Sequence, residues 1–398
     1  MFKKNLFYNY LNQIISLLFP LFIQYYLVRT FSLEKIGFIN IMLSLQAIVM
    51  TFSGIFNIYL LKIFSKNRPY DTIKRIFTNT LILLFTISCL SYLIYITYGF
   101  YTFRGNLHII VLSGITIVSS SFTSEFYFQG KLRNNIIFFR KLISRTIFII
   151  LLLLLVKDDH SLFVYFLILT ITTSLEHFFN FYYIRKLFDF SLFSKKFIIK
   201  IFKNSITYAP FTLTYGVLPH YSIVFASRFY SLYEIGIYSI FIKIINLTTT
   251  IVTSSIMVLF PMRVNNSDSE KKSNKTLLYL KYTITASLVL LILLNSSFNI
   301  INKLFLNINI NNNTRIVFAI LSLYILIHSI YNYYVFQFYI INNKVFFVTK
   351  LNLLILLVFY SLLYHISHNS QLTFPIIFIF SITIPLLILV YKIKELDL

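Results

Sequence analysis

One pattern organises the whole chain, and it occurs twice: as Arg29-Thr30-Phe31-Ser32-Leu33-Glu34-Lys35-Ile36-Gly37 and, 199 residues later, as Arg228-Phe229-Tyr230-Ser231-Leu232-Tyr233-Glu234-Ile235-Gly236. The same offset aligns Lys4 with Lys203, Asn5 with Asn204 and Pro20 with Pro219. At an offset of 208, a second set aligns: Phe128, Gln129, Asn134, Asn135, Phe138 and Phe139 with Phe336, Gln337, Asn342, Asn343, Phe346 and Phe347. Because only 8 Gly and 7 Pro occur in 398 residues, their coincidence favours a duplicated unit over chance.

The composition places both copies in a membrane. Hydrophobic residues make up 58% of the chain and charged residues 12%, whereas soluble domains have about 25% charged residues. Twelve runs reach the roughly 20 apolar residues that a spanning helix needs. They lie at 6–27, 37–60, 77–100, 107–128, 135–156, 161–184, 205–226, 235–260, 277–300, 316–340, 345–366 and 372–391. These runs predict an all-α integral membrane protein with 12 transmembrane helices.

The repeat divides these spans into two sets of six, which predicts domains 1–200 and 201–398. Because six is even, both halves enter the membrane from the same side, as parallel repeats do. We expect two parallel-repeat six-helix bundles around a central cleft, an architecture typical of transporters.

The charges orient the chain. There are 35 Lys and Arg residues against 12 acids, a formal net charge of +23. With the N-terminus inside, 22 cations fall in cytoplasmic loops and 7 in outer loops, so both termini are predicted to be cytoplasmic. No polar stretch is long enough to carry a nucleic-acid surface, so no nucleic-acid partner is expected. The break at 185–204 is predicted to form an amphipathic helix whose lysines meet anionic membrane lipid.

The remaining six cations lie inside predicted spans: Arg140, Lys141, Arg145, Lys243, Lys281 and Lys350. A charge at the bilayer centre costs at least about 2.5–3.5 kcal/mol, so a cation that does not snorkel should face protein or a watery cavity. Arg145 and Lys243 are the deepest of the six. For Arg140, Lys141, Lys281 and Lys350, which are nearer the cytoplasmic ends, snorkelling is the alternative.

Against these cations stand two acids within spans, Glu125 and Glu176. A pathway lined by these residues would be net positive, which predicts an anionic cargo such as a phosphate-bearing one. The two glutamates are predicted either to couple an ion or to pair structurally with an arginine. His177, His220 and His328 stay unassigned.

The paired prolines, Pro20 and Pro219, are predicted to lie inside the first helix of each half. Each removes a backbone hydrogen bond, so each is either a hinge or a static kink.

Catalytic machinery is absent from the sequence. We find no glycine-rich phosphate loop, no clustered metal ligands and no paired acids at a membrane face, and the single Cys89 excludes a disulfide within the chain. We therefore predict no cofactor, no metal and no enzymatic activity. The energy would come from an ion gradient or from the substrate gradient.

Four groups of residues resemble one family of membrane proteins. The first is the opening hairpin, with Phe19-Pro20-Leu21, Tyr26-Leu27-Val28-Arg29, Ile36-Gly37-Phe38 and Gly54-Ile55-Phe56-Asn57. The second is Ser124-Glu125-Phe126-Tyr127-Phe128-Gln129-Gly130, followed by Arg145. The third is Glu234-Ile235-Gly236-Ile237-Tyr238-Ser239 with Lys243 and Leu259-Phe260-Pro261, and the fourth is Asn342-Asn343. In these the chain resembles the Wzx-type O-antigen or polysaccharide repeat-unit flippases of the multidrug, oligosaccharidyl-lipid and polysaccharide exporter superfamily.

The resemblance implies flipping of an undecaprenyl-pyrophosphate-linked oligosaccharide from the cytoplasmic to the periplasmic leaflet of a bacterial inner membrane. It implies that Arg29, Arg145 and Lys243 meet the anionic headgroup or acidic sugars, with Arg140, Lys281 and Lys350 as further candidates. It also implies H⁺ or Na⁺ as the coupling ion, and the polymerase and chain-length regulator of the same pathway as partners.

Three other classes are open at this point: an O-antigen polymerase, a multidrug or cation antiporter of the same superfamily, and a lipid II flippase. The short outer loops and the half-chain repeat disfavour the polymerase. The surplus of cations within spans disfavours the multidrug exporter, and twelve spans rather than fourteen disfavour the lipid II flippase.

Overall fold

A computed structural model of the chain describes residues 2–66, 68–206, 217–265, 270–306, 312–335, 339, 345–366 and 372–394. Within these ranges every regular element is a helix. The predicted all-α class is therefore confirmed.

The described α-helices, named here in chain order, have the following bounds: α1 Phe2–Thr30, α2 Leu33–Gly54, α3 Asn57–Phe64, α4 Tyr70–Thr102, α5 Leu107–Ser119, α6 Glu125–Gly130, α7 Asn134–Leu155, α8 Leu162–Ile184, α9 Lys195–Ile206, α10 Leu218–Ala226, α11 Leu232–Asn265, α12 Glu270–Ser296, α13 Phe298–Phe305, α14 Asn312–Tyr334, α15 Val345–Ile366 and α16 Thr373–Lys394.

Ten stretches of the described chain are helical, long and apolar enough to cross a membrane. The chain is therefore a multi-pass membrane protein. Helix α7 is not among these ten, because its 22 residues include three cations. The predicted span 205–226 lies partly outside the described residues, so the count of twelve stays a prediction.

The described residues pack as two compact units. The first contains Met1–Ser32 and Met42–Leu213, and the second contains Leu33–Ile41 and Thr214–Leu398. The first two turns of α2 thus pack with the second unit, although the rest of that helix belongs to the first. The duplication of a six-helix domain stays a prediction.

In the second unit, the N-terminal turns of α2 and α11 approach each other at glycine. A Cβ on Gly37 would lie 2.1 Å from the carbonyl oxygen of Leu232, and a Cβ on Gly236 would lie 2.2 Å from that of Leu33. Only a residue without a side chain fits at either position, because backbone occupies the space. The repeated glycine of the sequence pattern is therefore a site of close helix approach.

The first unit is built around aromatic side chains. Phe64 of α3 packs against Phe126 of α6 with ring centroids 5.5 Å apart, and both are buried beside Phe56, Phe77 and Phe128. This cluster fixes the short helix α6 against α3. The position of α6 matters because its first residue is Glu125.

The predicted span 107–128 lies within Leu107–Gly130, one of the ten stretches that could cross a membrane, but its helix is interrupted between α5 and α6. Four side-chain hydroxyls in this stretch each donate a hydrogen bond to the carbonyl three residues earlier; they are those of Ser119, Ser120, Ser121 and Thr123. Such bonds compete with the backbone hydrogen bonds of a helix and bend it. The freed carbonyl of Thr123 accepts a hydrogen bond from the buried side chain of Asn180. The break therefore follows from a hydroxyl-rich stretch and is satisfied from α8.

The segment after α8 is only partly the predicted helix. Residues 195–206 form α9, which buries Ile201 and exposes its lysines. Residues 185–194 instead turn back against α4, where Asn79 donates to the Leu192 carbonyl at 3.0 Å and accepts from the Ser194 amide at 2.8 Å. Ser191 donates its hydroxyl and amide hydrogens to Asp189, which lowers the pKa of this exposed carboxyl.

Candidate functional site

Four charged side chains meet in the first unit, where α6, α7 and α8 come together. Nη2 of Arg140 lies 2.5 Å from Oε1 of Glu125 and 3.1 Å from Oε1 of Glu176. Nζ of Lys141 lies 3.2 Å from the same Glu125 oxygen. We call Glu125, Arg140, Lys141 and Glu176 the ion network.

Local backbone structure presents Glu125 to this network. Its neighbour Ser124 has φ 46°, in the left-handed region, and α6 begins directly after it. A non-glycine residue in that conformation carries strain that the surrounding packing must hold in place. The helix break therefore does more than interrupt a span: it sets the first residue of α6 at the network.

Helical spacing presents the partners on α7. Arg140 and Ser144 are four residues apart, so their side chains share one face of the helix. Oγ of Ser144 donates a hydrogen bond to Oε2 of Glu176 at 2.8 Å. Glu176 is thus held by an arginine through one oxygen and by a serine through the other.

A chain of polar contacts extends the ion network towards α5. His177 follows Glu176, and its Nδ1 lies 2.9 Å from Oγ of Ser119. Ser174 donates to the same Ser119 oxygen at 3.2 Å. Ser119 and His177 were not predicted as site residues, because their contact depends on how α5 packs against α8.

Burial makes the pairing of Arg140 obligatory. Its side chain is only 4% exposed, and Glu176, Lys141 and Glu125 are largely covered. Two charges removed from water are tolerated only when partners offset the desolvation cost, and removing one partner leaves an uncompensated charge. Arg140 therefore does not snorkel; it holds two carboxylates. The pairing foreseen as the structural alternative for Glu125 is the arrangement found.

Arg145 lies one turn beyond Lys141 on α7. The centre of its guanidinium is 4.4 Å from the ring centroid of Phe19 on α1, a cation–π distance. It also interacts electrostatically with Glu125 and Glu176. Three cations against two carboxylates leave this region with one surplus positive charge.

The other predicted cations lie elsewhere. Arg29 is exposed at the end of α1, where its guanidinium is 3.5 Å from the ring of Tyr25 and donates to the Tyr25 carbonyl. In the second unit, Lys281 and Lys350 are exposed, and Lys350 lies 4.9 Å from the ring of Phe346. Their exposure agrees with the snorkelling alternative.

Lys243 is less exposed than Lys281 and Lys350. It lies on α11, is half-buried, and its charge acts on His220 of α10. A charged side chain within a span raises the free energy of insertion and often marks a functional site, so Lys243 remains a candidate for binding cargo.

The two prolines occupy different settings. Pro20 lies inside α1, as predicted. Pro219 lies in the first turn of α10, which begins at Leu218. An N–H at this position would have no helical partner in any case, so Pro219 does not interrupt this helix. The prediction that Pro219 lies inside a helix and removes one of its hydrogen bonds is therefore wrong. Residues 207–216, which precede this helix, lie outside the described residues. The hinge role of both prolines stays a prediction.

The arrangement of helices matches that of known membrane transporters. An inward-facing multidrug resistance MATE family transporter of the MOP superfamily matches with a TM-score of 0.71 at 11% identity, over 96% of this chain and 95% of that chain. An outward-facing MATE family structure gives 0.51 at 13% identity, over 96% and 87%. A MOP superfamily transporter from Pyrococcus furiosus, in which the reverse polarity of the binding pocket suggests a different function, gives a TM-score of 0.51 at 13% identity, over 98% and 92%. The chain thus has the fold of MOP-superfamily transporters.

Within that class, the sequence identifies the family. Residues 2–267 match the family described as polysaccharide biosynthesis protein, and the chain belongs to this family. No curated protein matches the sequence significantly. The resemblance drawn from the opening hairpin and the Glu125 motif is therefore confirmed at the level of the family.

Proposed function

We propose that the protein is a flippase that moves undecaprenyl-pyrophosphate-linked O-antigen or other polysaccharide repeat units from the cytoplasmic to the periplasmic leaflet. The observation that carries this proposal is the combination of family and fold: a polysaccharide biosynthesis sequence on a transporter architecture. Neither alone would do so, because a fold hosts many functions and a pathway contains many proteins.

The cations support an anionic cargo. Arg145 and Lys243 are the deepest predicted span cations, and the region around Arg145 has one more cation than acid. Guanidinium and ammonium groups bind pyrophosphate oxygens through charge-assisted hydrogen bonds. In the proposed mechanism these two residues meet the pyrophosphate or acidic sugars, while the polyprenyl tail stays in lipid.

The ion network is the proposed coupling element. Glu125 and Glu176 share one guanidinium hydrogen-bonding group, so protonation of either carboxylate, or exchange for Na⁺, would redistribute the bonds of Arg140 among three helices. Such a change is the kind of local electrostatic event that can bias a two-state transporter. We therefore propose H⁺ or Na⁺ coupling through these glutamates and alternating access as the mode of transport.

This function would place the protein in a bacterial inner membrane, with membrane lipid around it and with the polymerase and chain-length regulator of the same pathway as partners. It is a transport function without a covalent step, so we propose that the protein is not an enzyme.

The test is reconstituted flipping of a fluorescent lipid-linked repeat unit in vesicles, read as the fraction accessible to a quencher or glycosidase outside. Wild-type protein should raise this fraction well above that of empty vesicles. Arg145→Ala and Lys243→Ala should reduce it, with protein levels unchanged. Normal flipping in both variants would contradict the role given to the cations.

A second candidate, a multidrug or cation antiporter, is favoured by the fold likeness to a multidrug transporter. It is separated from the first by deletion of the gene. A flippase deletion should abolish surface glycan and leave drug sensitivity unchanged, whereas an exporter deletion should do the reverse. A polymerase deletion would instead leave single repeat units on the surface.

A further inference from the structure

Helix α9 carries four lysines and no acidic residue, and two contacts fix where it lies in the first unit. The ring centroid of Phe197 is 5.2 Å from the guanidinium centre of Arg75, in the second turn of α4. Asn204 donates from Nδ2 to the hydroxyl of Tyr59 on α3 at 2.8 Å. Because Arg75 lies at the end of α4 that is predicted to be cytoplasmic, α9 lies at the predicted cytoplasmic surface of the membrane.

One face of α9 is already used by the protein. Ile201 is buried in the aromatic cluster that contains Phe64 and Phe126, and Phe197 and Ile198 pack against the same cluster. This face cannot turn towards a bilayer without opening the cluster that holds α6. A membrane contact of α9 must therefore use another part of the helix surface.

Two further sectors of the helix surface are exposed. The first, the apolar sector, consists of side chains that are between 42% and 49% exposed: Ile199, Phe202 and Ile206. The second, the lysine sector, consists of exposed cations: Lys196, Lys200 and Lys203. Members of each sector are three or four residues apart and share one side of the helix. Since each residue turns an α-helix by about 100°, the apolar sector lies between the buried face and the lysine sector, with Lys195 in line with it at the helix start.

An apolar sector that borders a cationic one matches the surface of an anionic bilayer. Apolar side chains enter the boundary between headgroups and acyl chains, while lysines contact the phosphate groups. Directly before α9, Phe190 and Phe193 stack with ring centroids 5.9 Å apart and are 69% and 47% exposed, which adds apolar surface. The predicted spans on either side, 161–184 and 205–226, return the chain to the bilayer, so the membrane surface is within reach of this segment.

We propose that α9 binds anionic phospholipid of the predicted cytoplasmic leaflet through the apolar sector and the lysine sector together. The apolar sector contacts acyl chains, and the lysine sector contacts phosphate groups. The sequence alone predicts contact of these lysines with lipid; the structure assigns the apolar part of the site, because the other apolar face is packed inside the protein. This proposal requires membrane insertion but not the flippase function.

The absence of Trp from the sequence permits a direct test, because a single introduced Trp reports on one position. Phe202→Trp places the probe in the apolar sector. Its matched control is Phe85→Trp, near the middle of α4, because both phenylalanines are 42% exposed. Each full-length variant is placed in nanodiscs of equal parts phosphatidylglycerol and phosphatidylcholine, with bromine on the acyl chains of one lipid or the other. Bromine quenches Trp fluorescence on contact, so the two quenching values show which lipid surrounds the probe.

At Phe202→Trp, brominated phosphatidylglycerol should quench at least about two-fold more than brominated phosphatidylcholine, because the lysines attract the anionic lipid. At Phe85→Trp, the two lipids should quench equally. The preference at Phe202→Trp should disappear when the charges of the lysine sector are removed by Lys196→Gln, Lys200→Gln and Lys203→Gln. It should persist when the same charge is removed from exposed cations of the opposite predicted face, by Lys157→Gln, Lys303→Gln and Arg315→Gln.

No quenching of Phe202→Trp by either lipid would show that this face contacts water or protein, and would overturn the site. Equal quenching by the two lipids, or a preference that survives loss of the lysine sector, would overturn its anionic character. Phe202 also lies near Phe56, with ring centroids 6.1 Å apart, so Ile199→Trp repeats the measurement if Phe202→Trp is not monodisperse. Because no cargo is present, the outcome is independent of whether flipping is observed.

Discussion

Asn40 donates a hydrogen bond from Nδ2 to Oγ of Ser239 at 2.6 Å, although the two residues are 199 positions apart. Both side chains are buried. The same separation relates Gly37 and Gly236, whose backbones meet the carbonyls of Leu232 and Leu33. The segments that the sequence aligns as repeats are therefore also in contact with each other in the second unit.

The first prediction concerns this contact. Gly236→Ala should lower the free energy of unfolding by about 1–3 kcal/mol, because the added methyl group would overlap backbone that cannot rotate away. Unfolding in detergent, followed as the monodisperse fraction that survives heating, would measure the loss. Gly105→Ala is the matched control, since a Cβ there meets nothing within 4 Å. If the two alanine variants melt alike, the close approach is not as described.

The second prediction concerns the centre of the ion network. Arg140→Ala should destabilise the protein by about 3–5 kcal/mol, because it leaves Glu125 and Glu176 as buried carboxylates without their shared partner. Lys141→Ala should cost less, since Lys141 pairs with one carboxylate among the described residues, that of Glu125, and is more exposed than Arg140. The same heating assay gives both values. A smaller effect at Arg140 than at Lys141 would show that the glutamates do not depend on the arginine.

A second measurement on the ion network tests whether neutral side chains restore the lost stability. Arg140→Ala combined with Glu125→Gln and Glu176→Gln should recover part of the lost stability, because the neutral amides need no cation. Failure of the amides to restore any stability would indicate that packing of the arginine, rather than its charge, is what matters.

The third prediction concerns the left-handed residue before α6. Ser124→Val should be less stable than Ser124→Gly by at least about 1–2 kcal/mol, because a β-branched residue is strained at φ 46° whereas glycine is not. Equal stability of the valine and glycine variants would mean that the helix break can relax without cost. Leu132, at φ 55° and exposed, provides a second site for the same comparison.

The fourth prediction separates function from stability. Lys243→Met keeps the approximate length of the side chain and removes its charge, so its flipping is compared with wild type at equal amounts of monodisperse protein. If Lys243 binds a pyrophosphate, flipping should fall by about ten-fold or more, since a hydrogen bond to a charged group contributes about 1.5–3 kcal/mol. The exposed Lys303 offers the control, and Lys303→Met should flip normally. Unchanged flipping by Lys243→Met would remove Lys243 from the cargo path.

Hydropathy and residue spacing predicted much of the helical architecture. The predicted spans 161–184 and 345–366 coincide closely with α8 and α15. The break between α5 and α6 was not predicted, because hydropathy does not register the hydroxyl-to-carbonyl bonds of Ser119 to Thr123. Those residues are apolar enough to continue a span, and only their competing hydrogen bonds end the helix.

The candidate site could be predicted only in part. Glu125, Arg140 and Glu176 were each recognised as charged residues within a span. The contact of this one arginine with both glutamates, however, depends on how three helices pack against each other. Sequence spacing orders residues on one helix, as it does for Arg140 and Ser144, but not across α6, α7 and α8.

The three cations of α7 have a consequence for how this helix enters the membrane. Three cations oppose entry of this helix into the bilayer by itself, at about 2.5–3.5 kcal/mol each when central. Arg140 and Lys141 contact Glu125, which is synthesised before α7, and Arg140 also contacts Glu176, which is synthesised after it; the two carboxylates together balance these two cations. We therefore expect integration of α7 during biosynthesis to require both α6 and α8, so that the three helices insert as one cooperative unit.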